Sequence, residues 1–176
     1  MRSYSISVRS IFAASLIVIL GLLFSDTANA THNRAGEIIY THLSGFTYRA
    51  TIITYTKESS TAADRDSLEI IWGDGTMDTL GRSNGNGNGV YIGNDIKYNE
   101  YTGVHTYPGM GTYVLSMTDP NRISDIININ GGNSVNEPFY IEDTLKIPDP
   151  QFFDYNSSPV LLNPPIDFGN AFQTYI

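Results

Sequence analysis

Ile70-Ile71-Trp72-Gly73-Asp74-Gly75-Thr76 and, further along, His105-Thr106-Tyr107-Pro108-Gly109-Met110-Gly111-Thr112-Tyr113-Val114-Leu115 decide the fold of this chain. In the first stretch an apolar run with Ile70 and Trp72 two apart, on one face of a strand, stops at Asp74-Gly75. Glycine accepts positive φ there and the aspartate can bond the turn's backbone. In the second, Pro108-Gly109 suits the central positions of a type II turn, and Gly111-Thr112-Tyr113 opens a run of alternating residues.

Working outward, the chain between residues 31 and 147 is dominated by period-2 alternation and by Thr, Tyr, Ile and Val, with no helical periodicity. Strands are expected at 37–41, 47–56, 67–72, 90–92, 96–101, 104–107, 112–118, 126–129 and 139–147. Turns are expected at 57–66, 74–75, 81–89, 108–111 and 119–122. Many short strands at this spacing indicate an all-β sandwich rather than a parallel sheet. In the strand at 47–56, Tyr48, Ala50, Ile52 and Thr54 share one face; the face with Arg49 is read as outward, although Ile53 and Tyr55 blur it.

The amino terminus carries Arg2 and Arg9, an apolar run at 11–24 and a small-residue site, Ala28-Asn29-Ala30. This is the pattern of a cleaved secretory signal peptide at residues 1–30, and the run is shorter than the roughly 20 residues a spanning helix needs. No later run could span a bilayer, so no membrane insertion is expected after cleavage. The formal charge of −8, slightly more negative once Arg2, Arg9 and Asp26 are removed, opposes binding to nucleic acid and anionic lipid. There is no cysteine. An exported domain without disulfides must be held by apolar burial, sheet hydrogen bonds or bound ions.

From Pro148 onward Pro150, Pro159, Pro164 and Pro165 punctuate a stretch that ends on renewed apolar alternation. Residues 148–176 are read as a proline-rich linker entering the truncated start of a second sandwich module. The organisation expected is therefore a signal peptide at 1–30, one sandwich at 31–147 and this linker.

In an immunoglobulin-like sandwich a large residue of one central strand packs across the core, and a tyrosine near the start of another precedes its core residue by two. Ile70, Trp72, Tyr113 and Leu115 are expected to meet across two sheets in that way, in place of a disulfide. The paired motifs resemble those of PKD domains, immunoglobulin-like modules of cell-surface proteins, which carry Trp-x-Phe-Gly-Asp-Gly-Thr, then His-Thr-Tyr, a Pro-Gly turn and Gly-Thr-Tyr. This chain keeps Gly73, Asp74, Gly75, Thr76, His105, Thr106, Tyr107, Pro108, Gly109, Gly111, Thr112, Tyr113 and Asp119. Ile70 stands where the family has tryptophan, Trp72 where it has phenylalanine, and Met110 lengthens the second turn. Residues 31–38 and 158–165 further resemble the start of very large exported proteins of gliding-type bacteria, in which several such modules precede a sorting domain.

The resemblance implies a secreted or cell-surface, non-catalytic module acting as a spacer or in adhesion. Its partners would be surface glycans, other extracellular proteins and downstream domains of the same polypeptide. The alternative is a carbohydrate- or protein-binding accessory module of an exported hydrolase whose catalytic domain lies downstream.

Other residues invite chemistry and are weighed against structure. Gly81-Arg82-Ser83-Asn84-Gly85 matches a nucleophile elbow by spacing, but Asn86-Gly87-Asn88-Gly89 follows where a helix is required; a solvated, mobile loop is expected. His32, His42 and His105 lack metal-ligand spacing. Asp64 with Asp66, and Asp119 with Asn121 and Asp125, offer oxygens to calcium, the one cofactor entertained, although Asp119-Pro120-Asn121 is first a turn. Trp72 with Tyr48, Tyr55, Tyr91, Tyr98, Tyr101 and Tyr107 offers a sugar-stacking face, against which stands the ordinary abundance of tyrosine in strands. No nucleophile, metal or acid/base cluster survives, so no enzymatic activity is expected.

Overall fold

A computed structural model describes residues 32–160 of the chain. The expected signal peptide and the expected start of a second module beyond residue 160 lie outside the described residues. The eight strands among the described residues are β1 (Asn33–Ser44), β2 (Thr47–Lys57), β3 (Ser67–Ile71), β4 (Met77–Gly81), β5 (Val90–Gly93), β6 (Ile96–Thr106), β7 (Gly111–Asp119) and β8 (Phe139–Ile147). They form two four-stranded antiparallel sheets, ordered β1-β2-β6-β5 and β4-β3-β7-β8.

The first sheet is built on long ladders. β1 and β2 turn tightly at Gly45, whose φ is +50°, and β2 pairs β6 from Thr47↔Thr106 to Lys57↔Ile96. The expected alternation in β2 holds on its inner face, where Tyr48, Ala50, Ile52 and Thr54 are buried. Ile53 and Tyr55 are buried on the outer face too. Ile53 lies between Glu37 and Glu100 in register, and Tyr55 packs on the ring of Tyr98 at 5.6 Å. The shared core takes Tyr48, Ile52 and Tyr101 from this sheet and Ile70, Trp72, Leu115 and Leu145 from the other.

Several expectations are corrected. Ile70, Trp72, Tyr113 and Leu115 do not meet across the sheets, because β3 and β7 are neighbours in one sheet, bridged at Ile71↔Ser116. Trp72 instead crosses to β6, with its ring against Gly103, where an added Cβ would sit 3.4 Å from it and 2.5 Å from Leu80. That close approach explains why β6 runs unbroken through Gly103, where two strands were expected. The apolar run at 126–129 is a turn, not a strand: the Ile129 amide donates to the Ile126 carbonyl and Ile127 is 86% exposed. β4 was not foreseen. Pro108-Gly109 is not a type II turn, since Gly109 is absent from the positive-φ region that turn requires.

Two segments read as loose are docked. Arg82 bridges Tyr101 of β6, the Asn84 amide side chain donates to the Tyr98 carbonyl and accepts from the Glu100 amide, and the Ser83 amide donates to the Glu100 carbonyl. The solvated loop expected at 81–89 is thus seated on the sheet. Past β8 the chain reverses and runs back along the free edge of β1. The Ser158 amide donates to the Tyr40 carbonyl, the Tyr40 amide to Ser158 Oγ, and the His42 amide to Ser157 Oγ. Tyr155 stacks on His42 at 4.1 Å. This strap covers edge groups that would otherwise invite another strand.

Candidate functional site

The two motifs join at one end of the sandwich. Gly73 (φ +84°) and Gly75 (φ +91°) make the β3–β4 turn, and Gly73 lies so close to β7 that a Cβ would sit 2.5 Å from the Val114 nitrogen. The Trp72 amide closes the turn on the Thr76 carbonyl at 3.0 Å. Asp74 Oδ1 accepts from the Thr76 amide (3.0 Å) and hydroxyl (2.6 Å). Its other oxygen, Oδ2, accepts from His105 Nε2 at 2.7 Å. The imidazole of His105 stacks on Trp72 at 4.7 Å and 10° and meets Tyr107 edge-on. Tyr107 donates to the Trp72 carbonyl, and Tyr113 donates to the Gly109 carbonyl at 3.0 Å, closing the bend ahead of β7.

This is a lock rather than a proton relay. Burial of Asp74 opposes its ionisation, but the bonds from Thr76 and His105 outweigh it and hold its pKa at about 2. The aspartate is therefore an acceptor only, and His105 must carry its proton on Nε2. Among the described residues no serine or threonine hydroxyl bonds to His105, as a catalytic triad would need.

A second cluster, unforeseen in the sequence, closes the opposite end. Asp64 Oδ1 accepts from Arg82 Nη2 at 2.6 Å, and Oδ2 accepts from Lys97 Nζ at 2.9 Å. His32 Nε2 lies 3.7 Å from the same carboxylate, and Glu58 lies 3.4 Å from Lys97. Arg82 also donates to the Arg65 carbonyl and to the Tyr101 hydroxyl. His32, Arg82 and Lys97 are all buried. Burial works against the charge on Asp64, yet the bonds from Lys97 and Arg82 prevail and lower its pKa. Burial lowers the pKa of His32, partly offset by Asp64 and Asp119. The available signal was alternation: Lys97, Asn99 and Tyr101 share the inner face of β6, so a lysine there needed a buried counter-charge.

The remaining candidates are dispersed. Asp119, weighed as a calcium ligand against its place in a turn, is buried, with Oδ2 bonded by Arg65 Nε at 3.0 Å and Oδ1 by the Asn121 amide at 2.7 Å. Asp125 accepts from Ser124. Asp64 is committed to cationic side chains, and no group of three or more acidic, histidine or cysteine residues is placed to hold a metal among the described residues. Ser83 Oγ donates to the Glu100 carbonyl, and only a short 3-10 turn, Gly85–Gly87, follows it. His42 bonds the Gly45 carbonyl near the end where His105 lies, away from His32. The aromatic residues make no common face: Trp72, Tyr48, Tyr55, Tyr101 and Tyr107 are buried and Tyr91 is exposed. Ile70 and Leu115 are core residues, and Pro108 and Gly109 form the bend before β7.

Comparison with protein-family models, curated proteins and solved structures finds no match to this chain.

Proposed function

We propose that the chain is a non-catalytic extracellular module of a secreted cell-surface protein, immunoglobulin-like in type and similar to a PKD domain, and that it works in adhesion more than as a spacer. The observation that carries the reading is the junction of the two motifs. The residues on which the PKD resemblance rests meet there: His105 of β6 donates to Asp74 of the β3–β4 turn, Tyr107 donates to the Trp72 carbonyl and packs on the rings of His105 and Tyr113, and Gly73 lies against Val114 of β7. The strand order supports the immunoglobulin-like type: one sheet carries the first, second, sixth and fifth strands, the other the fourth, third, seventh and eighth. That is the ABED and C′CFG arrangement, and Tyr113 takes the part of its tyrosine corner.

The course of the chain favours adhesion. β1 begins at the Asp64 end, and the last described residues of the strap, Ser158 to Val160, run beside Tyr40 towards Gly36. Among the described residues the chain enters and leaves away from the Asp74 end, which forms a tip of the sandwich.

Expression from Met1 in a bacterium with a general secretory pathway, followed by fractionation and mass spectrometry, tests the reading. The expected product is exported and begins at Thr31; a cytoplasmic product retaining Met1 would contradict it.

A further inference from the structure

The tip carries a groove of about 480 Å³ between the end of β8 and the reversal that follows it. Phe153 forms its apolar wall, and Lys146, Thr112, Asp149, Asp154 and Asn156 stand around it. Phe153 is 68% exposed and its neighbour Phe152 75%. Two adjacent phenylalanines in water are costly to display, and this pair is not on a loose end. The Asp149 carbonyl accepts from the amides of both Phe152 (3.1 Å) and Phe153 (3.0 Å), and its side chain accepts from the Gln151 amide at 2.9 Å. On one side the turn is anchored by buried Ile147 and on the other by Tyr155 stacked on His42. The backbone that carries the rings is held in one turn, which lowers the ordering cost of binding.

We propose that this groove binds a neutral oligosaccharide, the apolar face of one sugar ring lying on Phe153 and its hydroxyls meeting Asp149, Asp154, Asn156 and Lys146. The chemistry selects this class. A sugar offers an apolar face together with hydroxyls that both donate and accept, and the groove holds acceptors (two carboxylates), a donor (Lys146) and groups that do both (Asn156, Thr112). Anionic lipid is opposed by the two carboxylates and by the chain's net charge of −8. Among the described residues the strap runs from the groove along β1 as far as Val160, and Phe153 stays 68% exposed.

The inference rests on the extracellular-module reading and names its ligand. The test titrates the exported chain with linear hexasaccharides of β-glucan, β-xylan, β-mannan, chitin and α-glucan, following backbone amides by NMR. At least one sugar should shift the amides of Thr112, Lys146, Phe153 and Asp154 saturably. Phe153→Ala and Asp154→Ala should each weaken it by about tenfold or more with little change in thermal stability, while Tyr91→Ala, at an exposed tyrosine outside the groove, should leave it intact. Silence from all five sugars, binding that survives Phe153→Ala, or equal binding to vesicles of anionic lipid through the same amides would overturn the proposal. None of these results bears on export or on the mature amino terminus, so failure here is distinguishable from failure of the module reading.

Discussion

Trp72 is fully buried, stacked on His105, and its indole nitrogen donates to Asp78 at 2.8 Å. Substituting Trp72→Ala removes a large ring from between the sheets and should cost about 3–5 kcal/mol in urea unfolding. Titrating residues give the fold a pH profile whose sign follows from their direction of shift. His32 is held below 6.5, so folding prefers its neutral form: its contribution is complete above pH 6.5 and is lost as pH falls through the folded pKa. Asp74, ordinarily at 3.8 and here at about 2, contributes fully above pH 3.8 and loses that contribution as pH falls towards 2. The melting temperature should therefore drop as pH falls below 6.5, and His32→Gln should flatten that portion while leaving the acid limb below pH 3.8.

Among the elements, strands with one buried face were legible in advance and the short or irregular segments β4 and 126–129 were not. β2, β7 and β8 run nine residues or more with one face turned to the core, and their expected bounds fall within a residue of those observed. β4 buries only Leu80, so its period-2 signal is a single residue. The run at 126–129 has the right composition but no sheet to join, because Ser134 caps it by bonding the Ile126 amide and the Ile123 carbonyl. The motif residues were legible as structure, but their contacts were not: that Asp74 reaches His105 depends on β3 and β6 ending at the same end of opposite sheets. The strap was hidden because serines, not an alternating strand, supply its bonds to β1. Replacing Ser157 and Ser158 together by alanine should speed hydrogen exchange at the amides of Tyr40 and His42 by about three- to tenfold, with the amides of β2 unchanged.

For the whole molecule, the two ends of the sandwich are built differently. One is sealed by a buried ionic cluster around Asp64, the other by the aromatic and Asp74–His105 junction, with Phe152 and Phe153 displayed beside it. A fold without disulfides thus closes each end with side chains that bridge separate elements. The central claim is that the paired motifs are a structural lock between the two sheets rather than a binding or catalytic site. The most direct measurement is a double-mutant cycle in urea unfolding with Asp74→Ala, His105→Ala and the double variant. A lock gives destabilised single variants and a coupling of about 1–3 kcal/mol between them. Single variants as stable as the native chain, or effects that add to within about 0.5 kcal/mol, would contradict it.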